Sequence, residues 1–107
     1  MDFSRMEFLK SCLEKDGEDS FVRFALAKEY ENGGQLEEAV RQYLILEQND
    51  PGYVGLYYHL GHAYAELGKL EEALMTFDRG IEVARKMHDQ HALSELLNAR
   101  TNVAMGL

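Results

Sequence analysis

The chain has 107 residues, of which 46% are hydrophobic and 28% charged, with one proline and no tryptophan, a composition that supports one domain with one modest core. Eleven basic against nineteen acidic residues leave a formal charge of −8, which excludes a nucleic-acid binder built on a basic stripe and makes an anionic membrane surface repulsive. The lone Cys12 rules out an intramolecular disulfide.

The first residues, MDFSRMEFLK, carry acids and lack an apolar h-region, so they do not read as a signal peptide. Met6, Leu9, Cys12 and Leu13 recur instead at helical spacing and predict a lone helix over 2–16, closed by the turn Asp16-Gly17. Leu26, Ala27 and Tyr30 then mark one face of a second helix, and Leu36, Ala39, Val40 and Tyr43 one face of a third. Between them lies Gly34, which opens the phrase GQLEEAV; GKLEEAL opens at Gly68, 34 residues later. Glycine supplies the positive φ that closes one helix, and the paired acids Glu37-Glu38 and Glu71-Glu72 suit the first turn of the next, where the helix dipole favours negative charge. Extending the match gives two helical hairpins, 20–53 and 54–87, in which Phe24 falls on Tyr58, Leu26 on Leu60, Ala27 on Gly61, Tyr30 on Tyr64 and Tyr43 on Phe77. Turns are predicted near 16–19, 33–35, 49–52, 67–69 and 88–90.

The forward phase fails at Ser94 and Asn98. Ala92, Leu93, Leu96, Leu97, Val103 and Ala104 predict a different amphipathic helix over 90–105, a solvating cap with Glu95, Asn98 and Asn102 on its polar back. The longest uninterrupted apolar run, Tyr43-Leu44-Ile45-Leu46, is far too short to span a bilayer. A cytoplasmic protein is expected.

A 34-residue period with these places filled resembles the tetratricopeptide repeat family. The second copy, YYHLGHAYAELGKLEEALMTF, carries Tyr57, Leu60, Gly61, Tyr64, Gly68, Ala73 and Phe77 at the signature places; the first carries Leu26, Ala27, Tyr30, Gly34, Ala39, Tyr43 and the closing Asp50-Pro51. The resemblance implies an all-α, right-handed superhelical stack of about six helices: two full repeats plus flanking helices. Two places depart from it. Arg23 stands where the family prefers a large aromatic, its stem expected over apolar surface. Gly80 replaces the usual alanine, expected where a neighbouring backbone comes close.

Chemistry is sparse. His59 and His62 lie three apart with Glu66 as a third candidate ligand, too incomplete for a metal site and read as surface or groove residues. Cys12 falls in a buried register, where a thiol acts as a small hydrophobe. The chain lacks a glycine-rich phosphate loop, a G-x-S-x-G turn and an H-E-x-x-H pair. It is read as a non-enzyme without metal or cofactor.

In the family the first helices of successive repeats line a concave groove. The resemblance places Phe21, Phe24, Lys28 and Glu31 there from repeat one, with Gly55, Tyr58, His62 and Ala65 as the matching stripe of repeat two. It implies a protein–protein interaction module taking a peptide or helical segment of a protein partner, without nucleic acid or membrane. Alternatively, Phe21 and Phe24 pack on the lone N-terminal helix and Tyr58 on its neighbours. The family's carboxylate clamp is disfavoured, because Lys28 fills one of its places while Phe24, Tyr58, His59, Asp89 and Ala92 fill others. A second reading is a self-associating homodimer formed through the open N-terminal end, where Phe3, Met6 and Leu9 lack a covering helix.

Overall fold

The computed structural model describes residues 3–107, with side chains from Arg5 onward; Phe3 on the expected N-terminal stripe lies outside the described side chains. Six helices follow one another: α1 (Phe3–Lys15), α2 (Ser20–Asn32), α3 (Leu36–Asn49), α4 (Gly55–Glu66), α5 (Leu70–Lys86) and α6 (Gln90–Ala104). No strand occurs among the described residues.

The turns have the chemistry their residues dictate. Gly34 and Gly68 adopt φ values of 81° and 79°. The next amides, Gln35 N–H and Lys69 N–H, reach back to the carbonyls of Tyr30 and Tyr64 at 2.9 Å each, so both helices close with the same left-handed motif. His88 takes this role after α5 with φ 57°, and Asp89 N–H bonds the Ala84 carbonyl at 2.9 Å. Asp19 and Asp89 cap α2 and α6 by accepting from Val22 N–H and Ala92 N–H.

Consecutive helices pack as antiparallel neighbours, and α2 packs on α4 as α4 packs on α6, whereas among the described residues the backbones of α1, α3 and α5 do not pack closely on one another. The even-numbered helices therefore form the inner, concave layer and the odd-numbered ones splay outside it. The core runs between the layers through Leu26, Tyr43, Leu46, Leu56, Tyr57, Leu60 and Phe77. On α1, Leu9 is buried, and Met6 and Leu13 pack partly against the core.

Ala39 and Ala73 are fully buried, as expected where the two helices of a hairpin approach closely. Ala73→Leu is expected to overpack the second hairpin and cost about 2 kcal/mol, whereas Glu71→Leu on the exposed side stays within about 0.5 kcal/mol. Thermal melts that rank the two variants the other way would reverse the assignment of faces.

Three expectations need correction. Arg23 does not simply lie over apolar surface: its guanidinium donates to Gln42 Oε1 at 2.7 Å and to the Gly17 carbonyl at 2.9 Å. Gly80 faces the root of the Tyr57 side chain and Leu96, with no neighbouring backbone among its nearest atoms. On α6, Leu97 and Ala104 are exposed, and Ala99 is buried with Leu96 and Val103. A shift of 36 residues, rather than 34, lays Leu96 on Leu60 and Leu97 on Gly61. Gly61 faces the Phe77 ring of α5, whereas α6 has no following helix among the described residues to cover Leu97.

Candidate functional site

The inner face of α2 and α4 carries a continuous group of rings. Phe24 lies 5.1 Å from Tyr53, 5.4 Å from His59 and 6.1 Å from Tyr43 between ring centroids, and Tyr58 contacts His59 and His62 edge-on. Such tilted and edge-to-face contacts are the favoured geometry for aromatic pairs. The alternation of α2 and α4 along the inner layer makes these contacts possible, because Phe24 and Tyr58 occupy equivalent register on adjacent helices.

Glu31 ties the floor of this face together. Its Oε1 accepts from Tyr43 Oη at 2.7 Å and lies 3.3 Å from His59 Nδ1, linking α2, α3 and α4 at one carboxylate. Burial pushes the Glu31 carboxyl up, but hydrogen bonds from His59 and Tyr43 outweigh it and leave the group below its ordinary range. Burial and the bond to Glu31 both raise the Tyr43 phenol. His62 is held low, first by burial and then by His59, with Glu31 and Glu66 opposing. Its Nε2 is buried without a hydrogen-bond partner among the described residues, while its ring meets Tyr58 and Phe77 edge-on.

Of the residues expected to line the groove, Phe21 is 72% exposed, and Lys28 is exposed with its ammonium 5.3 Å from the centre of the Phe24 ring. Phe24, Tyr58 and Ala65 are half-buried on the same inner layer. Glu31 and His62 turn into the seam between helices. Two clefts flank Phe24. One, of about 270 Å³, lies between α1 and α2 and is lined by Arg5, Phe21, Phe24, Ala25, Lys28, Glu29 and Asn32. The other, of about 400 Å³, is lined by Phe24, Gly52, Tyr53, Val54, Gly55 and Met87. Tyr53 and Met87 were not singled out from the sequence, because both lie at turns outside the helical stripe. His59, read from the sequence as a surface or groove residue, is half-buried and lies against Phe24, Tyr43 and Tyr58.

Among the described residues, no three His, Cys, Asp or Glu side chains are placed to share a metal, and no helix is long and apolar enough to cross a membrane.

Residues 54–87 match the tetratricopeptide repeat model. A TPR repeat-containing protein of Pseudomonas aeruginosa is 29% identical over 91 residues, which are 85% of this chain and 87% of that one. The crystal structure of a tetratricopeptide repeat domain protein from Salinibacter ruber superposes with a TM-score of 0.76 at 41% identity, over 80% of this chain and 97% of that one. YrrB, a TPR protein with an unusual peptide-binding site, superposes with a TM-score of 0.77 at 27% identity, over 90% of this chain but 46% of its own. With the repeated phrase, the hairpin stack and these relatives in agreement, the chain belongs to the tetratricopeptide repeat family.

Proposed function

We propose that the protein is an interaction module that holds a peptide or helical segment of a partner protein along the inner face of α2 and α4, with Phe24 and Tyr58 as its anchors. The observation that carries this reading is the position of Phe24. One side of its ring is braced by Tyr43, Tyr53 and His59, and the residue forms a shared wall of two clefts. A braced, partly accessible aromatic gives an anchor that loses little freedom on binding. The peptide-binding site for which its relative YrrB is described supports the class of ligand.

The test compares partner capture by the parent with capture by Tyr58→Ala and by the Phe24→Ala, Tyr58→Ala double variant. Tyr58→Ala is expected to weaken binding by on the order of 2 kcal/mol, about thirtyfold, with the helical circular-dichroism signal intact. Lys28→Glu is expected to slow association and alter its salt dependence. Parent-like binding by a folded double variant would remove the site.

One observation favours homodimer formation as a second reading. Phe8 is 65% exposed, whereas Gln42 and Thr76, at the same register in the two full repeats, are 5% and 1% exposed. That outward face of α1 would accept another copy. Sedimentation of the parent against Phe8→Glu decides it, and a monomeric parent rejects it.

A further inference from the structure

A third cleft, of about 410 Å³, opens on the outer side of the molecule, walled by α1 and α3 and floored by α2. At about 100° per residue, Arg23, Leu26 and Tyr30 lie on the side of α2 opposite Phe21, Phe24 and Lys28, so this cleft is separate from the groove. The geometry points to a binding site for a small organic carboxylate, with its charged end among Lys10, Arg23 and Arg41 and its apolar body over Leu13, Leu26 and Tyr30.

The case begins with a comparison the molecule makes with itself. Adding 34 to Lys10, Arg23 and Arg41 gives Leu44, Tyr57 and Met75. All three cations thus belong to the unit formed by α1, α2 and α3, and the places 34 residues on, in α3, α4 and α5, are uncharged. The outer helices differ in the same way: Arg79 of α5 grips Glu47 of α3 through two hydrogen bonds, at 2.8 and 3.1 Å, but the corresponding pair 34 residues earlier, across α3 and α1, is Ile45 and Leu13. Among the described residues no ion pair closes the first cleft from wall to wall.

The cations are also held in place. Arg23 is fixed by Gln42 and the Gly17 carbonyl, and Gln42, itself 5% exposed, is oriented by donating to Glu38 at 3.2 Å. Lys10 lies over the Tyr30 ring at 5.8 Å. Among the described residues neither Arg23 nor Lys10 forms an ion pair, whereas Arg41 is paired with Glu38. Glu14 also lines the cleft and faces the cations with the opposite sign. Arg23 is held below its ordinary range, by burial and then by the Arg41 charge; an anion arriving between them offsets the repulsion of the two guanidinium groups. A planar guanidinium with donors to spare suits a carboxylate, and the cleft is of small-ligand size. In a chain of net charge −8, three cations converging on one cavity are a local reversal of sign.

The experiment is a ¹H–¹⁵N titration of the full chain with sodium hexanoate, beside hexanamide and beside sodium chloride at matched ionic strength. Hexanoate is expected to give saturable shifts at the Arg23 side chain, the Gln42 amide and Gly17, while hexanamide and chloride do not. Arg23→Gln and Lys10→Gln are each expected to weaken binding on the order of tenfold; Tyr58→Ala leaves it unchanged, which keeps this site distinguishable from the groove. If Arg23→Gln loses its helical signal, the surface substitution Lys10→Gln decides. Equal shifts with chloride or hexanamide, or parent-like binding by a folded Lys10→Gln, would overturn the proposal.

Discussion

Gly80→Ala is expected to lower stability by about 2–3 kcal/mol and the melting temperature by about 10 °C or more, although alanine is the better helix former by roughly 1 kcal/mol. The sign is set by space. A Cβ at Gly80 would lie 2.5 Å from Tyr57 Cβ and 3.0 Å from Tyr57 Cγ, with Leu96 Cδ1 at 3.2 Å. Tyr57 Cβ is the rigid root of a fully buried side chain and cannot swing aside as a chain end could, so α4, α5 and α6 must separate. Gly55→Ala is the control: its Cβ would meet the Phe24 ring at 3.5 Å, an ordinary contact, and stability should hold or rise. Urea melts of both variants measure the contrast, and a Gly80→Ala protein as stable as its parent would refute the close packing of α5 on Tyr57.

Glu31→Ala is expected to cost about 2–3 kcal/mol at pH 7, because it strips the partner from the buried Tyr43 hydroxyl and from His59. Glu31→Gln, which keeps an acceptor oxygen, costs less. The pH dependence separates charge from shape. The Glu31 carboxyl is lowered from 4.5 in the fold, so its contribution is complete above that value and disappears as pH falls through the lower, folded one. His62 is also lowered, from 6.5. The unfolded chain therefore takes up that proton first, and stability starts to fall as pH drops past 6.5. Acid unfolding of the parent should show a loss beginning near neutrality and a second one beginning as pH falls past 4.5. The gap between parent and Glu31→Ala should narrow across the second. A gap that stays constant down to pH 3 would mean that the Glu31 charge contributes nothing.

The helices were legible because the repeat writes each of them twice, and Gly34 and Gly68 stand at the left-handed turns in both copies. The third such turn was visible only as a break in the apolar pattern, since His88 holds a positive φ without being glycine. Repeat phase also set Phe24 beside Tyr58 on adjacent helices. It could not show which way a polar side chain turns within a stripe: Glu31 has the same spacing whether it faces a ligand or Tyr43, and only the packed neighbours decide. Leu97 failed for a related reason. Amphipathic spacing marks a face as apolar, but burial depends on an element arriving to cover it, and the described chain brings none to that side of α6. Arg23 was recognised as a departure from the family, but its partners, Gln42 on α3 and the carbonyl of Gly17 in a turn, are not encoded in any period.

Among the described residues every helix packs only on helices one or two places away in the chain, with α4 packing on α2, α3, α5 and α6 while α1 packs on α2 alone. No distant segment has to be found before native contacts begin to form, so the search is short and folding belongs in the microsecond-to-millisecond range of local topologies. The same wiring grades the opening of the native state. Amides of α1 can exchange with solvent by peeling one helix from one neighbour, whereas those of α4 wait for both hairpins to part. The rings of Tyr58 and His59 ride on α4, so the proposed binding wall is built on the element that opens last.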